Sequence, residues 1–247
     1  MEMEMAMVAV FISVVSIVRT DSCTRLTLNK VPQNMANELQ MRIFPLGDYQ
    51  TNCFVVRASG ESECWIIDAG YRPQAMIDWI ESEGLSPSKL ILTHAHADHI
   101  GGVPEIRAKW PRIPILIHEA ENAFLTTPEL NLSIFTPPPL VVPEATENLK
   151  PGDKLTLGSL TFEVRETPGH SPGGISLIEH DQHVAFVGDA LFAGSIGRYD
   201  FPTSDGHLLM KSIHEQLLSL PDETDAYPGH GPATTIGRER ISNPYLR

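Results

Sequence analysis

The segment at residues 90–99 constrains the fold of this chain more than any other. Residues 90–92 are three consecutive apolar side chains, Leu-Ile-Leu, which is typical of a strand buried on both faces of a sheet. Four potential metal ligands then follow within six residues: His94, His96, Asp98 and His99. Open α/β sheets place ligand sites at the carboxyl ends of their strands. The segment therefore predicts an α/β domain with a site at that edge of a sheet.

Short runs of β-forming residues flank this segment on both sides and are separated by turn residues. The predicted strands are at residues 41–44, 52–56, 64–67, 115–117, 154–157, 160–165, 175–178 and 184–187. The predicted helices are at 73–83, at 100–110 and from Asp205 to Ser219, the last with a buried stripe of Leu209, Ile213 and Leu217. Residues 127–153 are rich in proline and predict a long loop over the site. Two similar halves of this kind favour two sheets packed face to face with helices outside.

Three later segments each place one more potential ligand beside a glycine, at the end of a predicted strand. They carry His170, Asp189 and His230. Glycine fits such positions because a sharply turning loop that brings its backbone close to an ion has no room for every Cβ. Several imidazoles and carboxylates are costly to bury together, and a bound divalent cation removes that cost. The four segments together predict a metal site.

In these four segments the chain resembles the metallo-beta-lactamase superfamily, and within it the glyoxalase II-like hydrolases. The matching motifs are T-H-x-H-x-D-H at 93–99, P-G-H at 168–170, G-D at 188–189 and G-H at 229–230. The resemblance implies an α/β fold arranged as a four-layer αβ/βα sandwich and two divalent metal ions, with zinc expected first and iron or manganese as alternatives. One ion would be bound by His94, His96 and His170 and the other by Asp98, His99 and His230, with Asp189 bridging them. Asp68, in a run that resembles the superfamily's early aspartate motif, is expected to orient ligands without binding metal.

The family resemblance also implies a reaction. Two ions a few Å apart lower the pKa of a water held between them, so that hydroxide is available at neutral pH. Asp98 would orient this nucleophile for attack on a small thioester, which needs little help from a general acid because thiolate is a good leaving group. Arg198 is the candidate for binding a substrate carboxylate, and a salt bridge with Asp200 is the alternative role for it.

Two other classes of protein compete with the hydrolase. A persulfide dioxygenase-like oxidoreductase would use one iron held by His94, His170 and Asp189, a facial triad with open positions for oxygen. The residues around His230 favour the two-metal hydrolase instead. A non-catalytic metal-binding protein on the same fold is disfavoured because all seven ligand positions are filled, and a beta-lactamase is disfavoured by the bridging aspartate.

Composition limits the partners and the compartment. Asp and Glu outnumber Lys and Arg by 31 to 18, and the resulting charge of −13 argues against nucleic acid as substrate. The run at residues 6–18 is too short to span a membrane and has acidic rather than basic residues before it. Cys23, Cys53 and Cys64 lack metal-ligand spacing, which is typical of reduced structural thiols in a cytoplasmic protein. The predicted strands begin only at residue 41. We therefore expect an N-terminal extension at 1–38, dispensable for activity, and a catalytic domain at 39–247.

Overall fold

The computed structural model describes residues 38–135 and 138–247. The first sheet has six strands whose order in space follows their order in the chain. The first three strands pair antiparallel and the next three join in parallel. The strands are β1 (Leu39–Leu46), β2 (Thr51–Ala58), β3 (Glu63–Ile67), β4 (Ser86–Ile91), β5 (Ile115–His118) and β6 (Glu147–Leu149).

The second sheet also has six strands, and a separate two-stranded hairpin, β11 (Leu191–Phe192) with β12 (Ser195–Ile196), follows its fourth strand. The six strands are β7 (Lys154–Leu157), β8 (Leu160–Glu166), β9 (Ile175–Glu179), β10 (Val184–Gly188), β13 (Asp225–Pro228) and β14 (Thr234–Thr235). Across this sheet the order is β14-β13-β10-β9-β8-β7, and β10 pairs in parallel with β13.

The helices of the described residues are short, and they lie on the outer faces of the two sheets. The α-helices are α1 (Gln74–Ser82), α2 (Ala97–Ile100), α3 (Val103–Lys109), α4 (Asn122–Thr126), α5 (Gly206–Ser212) and α6 (Ile236–Ser242). Single 3-10 turns occur at Glu119–Glu121, Ser133–Phe135 and Pro244–Leu246, and a π-helical turn at Ile213–Leu217 continues α5.

Buried side chains form three layers of core between four layers of secondary structure. The central layer lies between the sheets, where Trp65 and Phe54 of the first sheet meet Phe162 and Phe186 of the second. A second layer packs α1 and α3 on the outer face of the first sheet. The third packs α5 and α6 on the outer face of the second sheet. The four-layer αβ/βα sandwich is confirmed, because each sheet buries both of its faces.

The structure differs from the predicted elements at a few places. The predicted helix at 100–110 is divided, since α2 ends at Ile100 and α3 begins only after Gly101 and Gly102. Within the predicted loop at 127–153, Glu147–Leu149 pairs with β5 as the edge strand β6. Three residues are too few to show a β pattern in the sequence, so only the pairing reveals this strand. The stripe predicted on the helix after Asp205 is confirmed, with its three side chains fully buried.

The predicted extension at 1–38 lies outside the described residues except for Glu38, and so does Cys23. Cys53 and Cys64 are free and buried, as expected of structural thiols. In the part of the chain that the structure describes, none of the helices has the length and apolar character that a membrane crossing needs.

Candidate metal centre

The seven potential ligands of the sequence lie together at one edge of the two sheets. They follow the carboxyl ends of β4, β8, β10 and β13, on loops or, for Asp98 and His99, on the short helix α2. The side chains form three overlapping groups, and within each group one ligand atom per residue lies within 4.8 Å of the others. The groups are His94, His96 and His170; His94, His99 and Asp189; and Asp98, His99 and His230. The fold thus joins residues that are up to 136 positions apart, from His94 to His230.

The first group consists of three histidines that face one another. Nδ1 of His96 lies 2.9 Å from Nε2 of His170. The outer nitrogen of His170, Nδ1, is 2.8 Å from the backbone oxygen of Arg198, to which it can donate a hydrogen bond. Nδ1 of His94 lies 3.1 Å from the Thr93 hydroxyl. These outer contacts fix the ring orientations of His94 and His170, so that their Nε2 atoms point inward.

The third group combines two histidines, His99 and His230, with the carboxylate of Asp98. Nδ1 of His230 lies 3.1 Å from the backbone oxygen of Tyr49, and its Nε2 is 3.0 Å from Oδ2 of Asp98. The hydroxyl of Thr51 also donates to Oδ2 of Asp98 at 2.9 Å. Nε2 of His99 faces the same carboxylate oxygen at 3.6 Å. Nε2 of His99, Nε2 of His230 and Oδ2 of Asp98 therefore surround one common space.

Asp189 lies between the first group and the third. Its Oδ1 is 3.4 Å from Nε2 of His99, and its Oδ2 is 3.5 Å from Nε2 of both His170 and His230. The carboxylate of Asp189 thus faces histidines of both groups, and its Oδ2 alone lies beside one histidine of each.

The residues fit bound divalent cations. Among the described residues, Nε2 of His94, Nε2 of His99 and Oδ1 of Asp189 are buried without a hydrogen-bond partner. Buried polar atoms of this kind are costly unless they are satisfied, and all three lie inside the cluster. Imidazole nitrogens and carboxylate oxygens are suitable ligands for zinc, iron or manganese.

Burial keeps two of the histidines neutral in the metal-free protein. Removal from water, together with the neighbouring histidines, holds the pKa of His94 well below its usual value. Burial and the nearby His170 lower the pKa of His96 to about 3. At neutral pH these two imidazoles carry no proton charge, which is the form that binds a metal ion.

On the other side of the cluster, nearby carboxylates raise the pKa of His99. Burial alone would lower the pKa of His99, but Asp189, Asp98 and Asp68 raise it well above its usual value. Burial would raise the pKa of Asp189, but His99 and the other histidines beside it lower it to about 2. The carboxylates are therefore ionised at neutral pH, and their negative charge favours a cation at this position.

Asp68 does not face the centre but supports it from behind. Its carboxylate accepts hydrogen bonds from the backbone N–H of Thr93 at 2.7 Å and from the Thr93 hydroxyl at 2.8 Å. The same carboxylate lies 2.9 Å from Nδ1 of His99. Asp68 has a φ of 59°, an uncommon conformation for a residue other than glycine. Such backbone strain is typical of a position where side-chain direction matters.

Glu121 is a buried carboxylate that the sequence analysis missed. It follows β5 and accepts hydrogen bonds from the backbone N–H of Ala95, at 3.0 Å, and of Gly173, at 2.7 Å. Ala95 stands between two of the histidines, and Gly173 belongs to the loop that carries His170. Glu121 thus ties two ligand-bearing loops together. Glutamate in the polar run at 119–122 carries no signal of burial, so only the tertiary contacts identify it.

Two glycines of the predicted ligand segments are required by close approaches. A Cβ at Gly229 would lie 2.6 Å from Cε1 of His99, a distance that real structures do not tolerate. Gly169 has a φ of +126°, and a Cβ there would collide with the backbone of Leu209 in α5.

A cleft of about 710 Å³ opens over the centre. Its wall includes Phe192, Phe201 and Phe135, and its floor includes the ligands His96, Asp98 and Asp189. Arg198 also lines the cleft, where its guanidinium forms two hydrogen bonds of 2.9 Å with the carboxylate of Asp200. Of the two roles considered for Arg198, the structure contains the salt bridge.

The remaining histidines of the described chain lie outside the centre. Three of them face glutamates: His118 with Glu166, His180 with Glu163 and His183 with Glu223. His207 and His214 are exposed on the helical segment after Asp205. Their exclusion from the predicted ligand set is consistent with these positions.

The fold and the ligand set place the chain in a known class. The Metallo-beta-lactamase superfamily profile matches residues 46–230, and the chain belongs to this family of metal-binding proteins. Among curated relatives, the probable metallo-hydrolase YqgX of Bacillus subtilis is 37% identical over 209 residues, which are 84% of this chain and 98% of YqgX. The hydroxyacylglutathione hydrolase GloC of Haemophilus influenzae is 37% identical over 217 residues, with the same coverage of both chains.

Three solved structures are similar to this chain in sequence and fold. The structure of BLEG-1, described as a B3 metallo-beta-lactamase, is 42% identical with a TM-score of 0.80, covering 84% of this chain and 99% of that one. TTHA1623 in a di-iron-bound form is 35% identical with a TM-score of 0.71, covering 81% and 98%. ETHE1 from Myxococcus xanthus is 25% identical with a TM-score of 0.67, covering 83% of each chain.

Proposed function

We propose that this protein is a binuclear metallohydrolase that hydrolyses small thioesters of the glyoxalase II type, such as S-2-hydroxyacylglutathione or a related compound. The observation that carries the proposal is the position of Asp189 between two ligand groups, at the base of an open cleft. The likeness to GloC, a hydroxyacylglutathione hydrolase, supports the thioester as substrate.

Each ion would have three protein ligands of its own and would share a fourth. We assign His94, His96 and His170 to one ion, and Asp98, His99 and His230 to the other, with Asp189 shared. When bound, the two ions supply hydroxide at neutral pH and stabilise the oxyanion that forms on the substrate. We propose zinc as the metal, with iron and manganese as alternatives that the same ligands accept.

Asp98 is the residue that we assign to the attacking water. It lines the cleft, where the hydroxyl of Thr51 donates a hydrogen bond to its Oδ2 and Nε2 of His230 lies 3.0 Å from the same oxygen. Burial would raise the pKa of Asp98, but His99 and His230 hold it below its usual value, so the group is ionised at neutral pH. An ionised, fixed carboxylate accepts a hydrogen bond from water and orients its lone pair towards the acyl carbon.

The reaction requires no nucleophile from the chain. The water loses one proton to solvent, its oxygen bonds to the acyl carbon, the C–S bond breaks, and the thiolate leaves with its electron pair and takes a proton from solvent. The acid product releases the second proton of the water and leaves as the carboxylate. A thiolate is a good leaving group, so the lack of a dedicated acid in the proposed set is tolerated. The net charge of −13 favours a small molecule over nucleic acid as the partner, and we place the reaction in the cytoplasm.

Two other activities are outcomes of the same test. The likeness to ETHE1 leaves open the alternative of an oxidoreductase with one iron on His94, His170 and Asp189, but that alternative gives no role to Asp98, His99 and His230. The likeness to BLEG-1 favours hydrolysis of a beta-lactam amide. A metal-binding protein without catalysis would leave the open cleft unused.

The experiment combines metal analysis with three assays on the full chain. We expect about two divalent ions per chain and hydrolysis of S-lactoylglutathione that a chelator abolishes and zinc restores. His230→Gln should lose both one ion and activity, whereas His214→Gln, an exposed histidine outside the cluster, should keep them. One iron per chain with oxygen uptake on a glutathione persulfide, or turnover of nitrocefin without thioester hydrolysis, would replace the proposal with the corresponding alternative.

A further inference from the structure

The cleft over the centre has apolar walls on both sides. On the side of His96 and His170, the ring of Phe201 lies 5.3 Å and 5.7 Å from the two imidazoles. On the opposite side, the ring of Phe192 lies 6.3 Å from that of His230. When the carbonyl of a substrate reaches the centre, the rest of the substrate must therefore contact these aromatic side chains.

A third aromatic side chain stands at the mouth of the cleft. Phe135 is 76% exposed, on a 3-10 turn that is anchored to the domain. The anchor is the buried Asn131, whose side chain donates to the backbone oxygens of Phe124 and Leu140 and whose own backbone oxygen accepts from Ala97 N–H at 2.8 Å. When an apolar ligand covers an exposed phenylalanine that is held in place, the burial of apolar surface stabilises the complex.

The cleft offers little to an anionic ligand. Among the described residues that line it, Arg198 is the only arginine or lysine. Two of its five N–H donors, on Nε and on one Nη atom, bind both oxygens of Asp200, and its planar face lies over the Phe201 ring, 4.4 Å from the centroid. A carboxylate of the substrate would have to share the guanidinium with Asp200 or displace it, and Asp200 competes without a cost of association because it is only two residues away in the chain. Sharing would place two negative charges beside one cation, and displacement would leave the charge of Asp200 unpaired in the cleft.

We propose that the cleft selects thioesters whose thiol portion is uncharged and apolar over thioesters of a charged peptide thiol such as glutathione. This inference rests on the proposed thioester hydrolysis and specifies its substrate class. Glutathione has two carboxylates and an ammonium group, and the outer part of the cleft offers them one cation that is already paired. A benzyl or alkyl thiol would instead cover Phe135 and the neighbouring apolar wall.

The test compares two lactoyl thioesters that differ only in the thiol, benzyl mercaptan and glutathione, with the zinc-loaded full chain. Each kcat/KM is divided by the rate constant for alkaline hydrolysis of the same compound, which removes differences in intrinsic reactivity. We expect the normalised value for the benzyl thioester to be higher by about 10-fold or more, the gain from burying much of a phenyl ring. An equal or higher value for the glutathione thioester would overturn the inference while leaving thioester hydrolysis in place.

Two variants connect the preference to the residues. Phe135→Ala should lower kcat/KM for the benzyl thioester by about 3- to 20-fold and reduce the preference, whereas Tyr245→Ala, a half-exposed aromatic residue outside the cleft, should not. Asp200→Asn frees the guanidinium of Arg198, so it should shift the ratio towards the glutathione thioester by about 2- to 10-fold.

The proposed selectivity is contradicted if Phe135→Ala slows both substrates equally. It is also contradicted if Asp200→Asn shifts the ratio of the two kcat/KM values towards the benzyl thioester. If the protein holds two ions and hydrolyses neither thioester, the proposed function fails and the selectivity fails with it. That result differs from hydrolysis with the opposite preference, so the two failures are distinguishable.

Discussion

The carboxylate of Asp68 accepts a hydrogen bond from Nδ1 of His99, and the two atoms are 2.9 Å apart. Both side chains are buried, and the same carboxylate holds the backbone and the hydroxyl of Thr93. One side chain at the end of β3 therefore fixes both the start of the ligand loop after β4 and the ring of a ligand on α2. Nε2 of His99 faces the centre as a consequence.

Asp68→Asn tests this support. Asparagine tolerates the positive φ at this position, but its amide cannot accept hydrogen bonds on both sides, so the ring of His99 loses its fixed orientation. We expect the affinity for the ion assigned to Asp98, His99 and His230 to fall by about 10- to 100-fold, with folding retained. Metal content after dialysis against graded zinc buffers measures the effect. Unchanged affinity would show that packing alone orients His99.

Asp189→Ala removes the carboxylate between the two groups. Its two oxygens lie 3.4–3.5 Å from three ligand nitrogens, so we expect the variant to hold fewer ions and to lose most of its thioester hydrolysis. Metal analysis and the thioester assay on the same sample measure both effects. Asp181→Ala, at an exposed aspartate in the turn after β9, is the control and should match the wild type. Two ions and full activity in Asp189→Ala would refute the bridging assignment.

Glu121→Ala leaves two buried backbone N–H groups, those of Ala95 and Gly173, without their acceptor. An unsatisfied buried donor costs about 1–3 kcal/mol, so we expect the free energy of unfolding to fall by about 2–4 kcal/mol. Urea unfolding of the metal-free protein measures this loss without a contribution from metal binding. Glu119→Ala, at an exposed glutamate two residues away, should change the free energy of unfolding by less than about 0.5 kcal/mol. Equal effects of the two substitutions would contradict the role of Glu121.

Deletion of residues 1–38 should leave folding and thioester hydrolysis intact. The strand β1 begins at Leu39, and all seven proposed ligands lie beyond it. Circular dichroism, thermal unfolding and the thioester assay compare the shortened protein with the full chain. Deletion of residues 1–46 is the contrasting case, because it removes all eight pairs of β1 with β2 and the buried Phe44 and Leu46. An insoluble or inactive protein after the shorter deletion would show that the extension contributes to the fold.

Much of the site could be predicted from the sequence because its ligands are concentrated in short motifs. Four of the seven lie within six residues after a strongly apolar strand, and the other three stand beside glycines at strand ends. Such patterns depend on local spacing, which the sequence displays directly. The fold class followed from the same features, since the order of strands and helices indicated two packed sheets before any contact was known.

Other features depended on contacts between distant residues. The acceptor role of Glu121, the anchoring of Phe135 by Asn131 and the edge strand β6 involve residues that the sequence presents as ordinary polar or loop positions. Arg198 illustrates the limit most clearly. The sequence allowed it to bind either a substrate or Asp200, and only the placement of the guanidinium against both oxygens of Asp200 distinguished the two.

The sequence by itself therefore determined which residues form the centre and which layers surround it, because ligand chemistry and hydrophobic periodicity are local properties of a chain. The tertiary structure decided how the centre is held and what its cleft accepts. Hydrogen-bond partners such as Asp68 for His99, and the walls of a cleft, arise where segments from both sheets meet. Contacts between these segments depend on packing over the whole domain, and no short stretch of sequence predicts them.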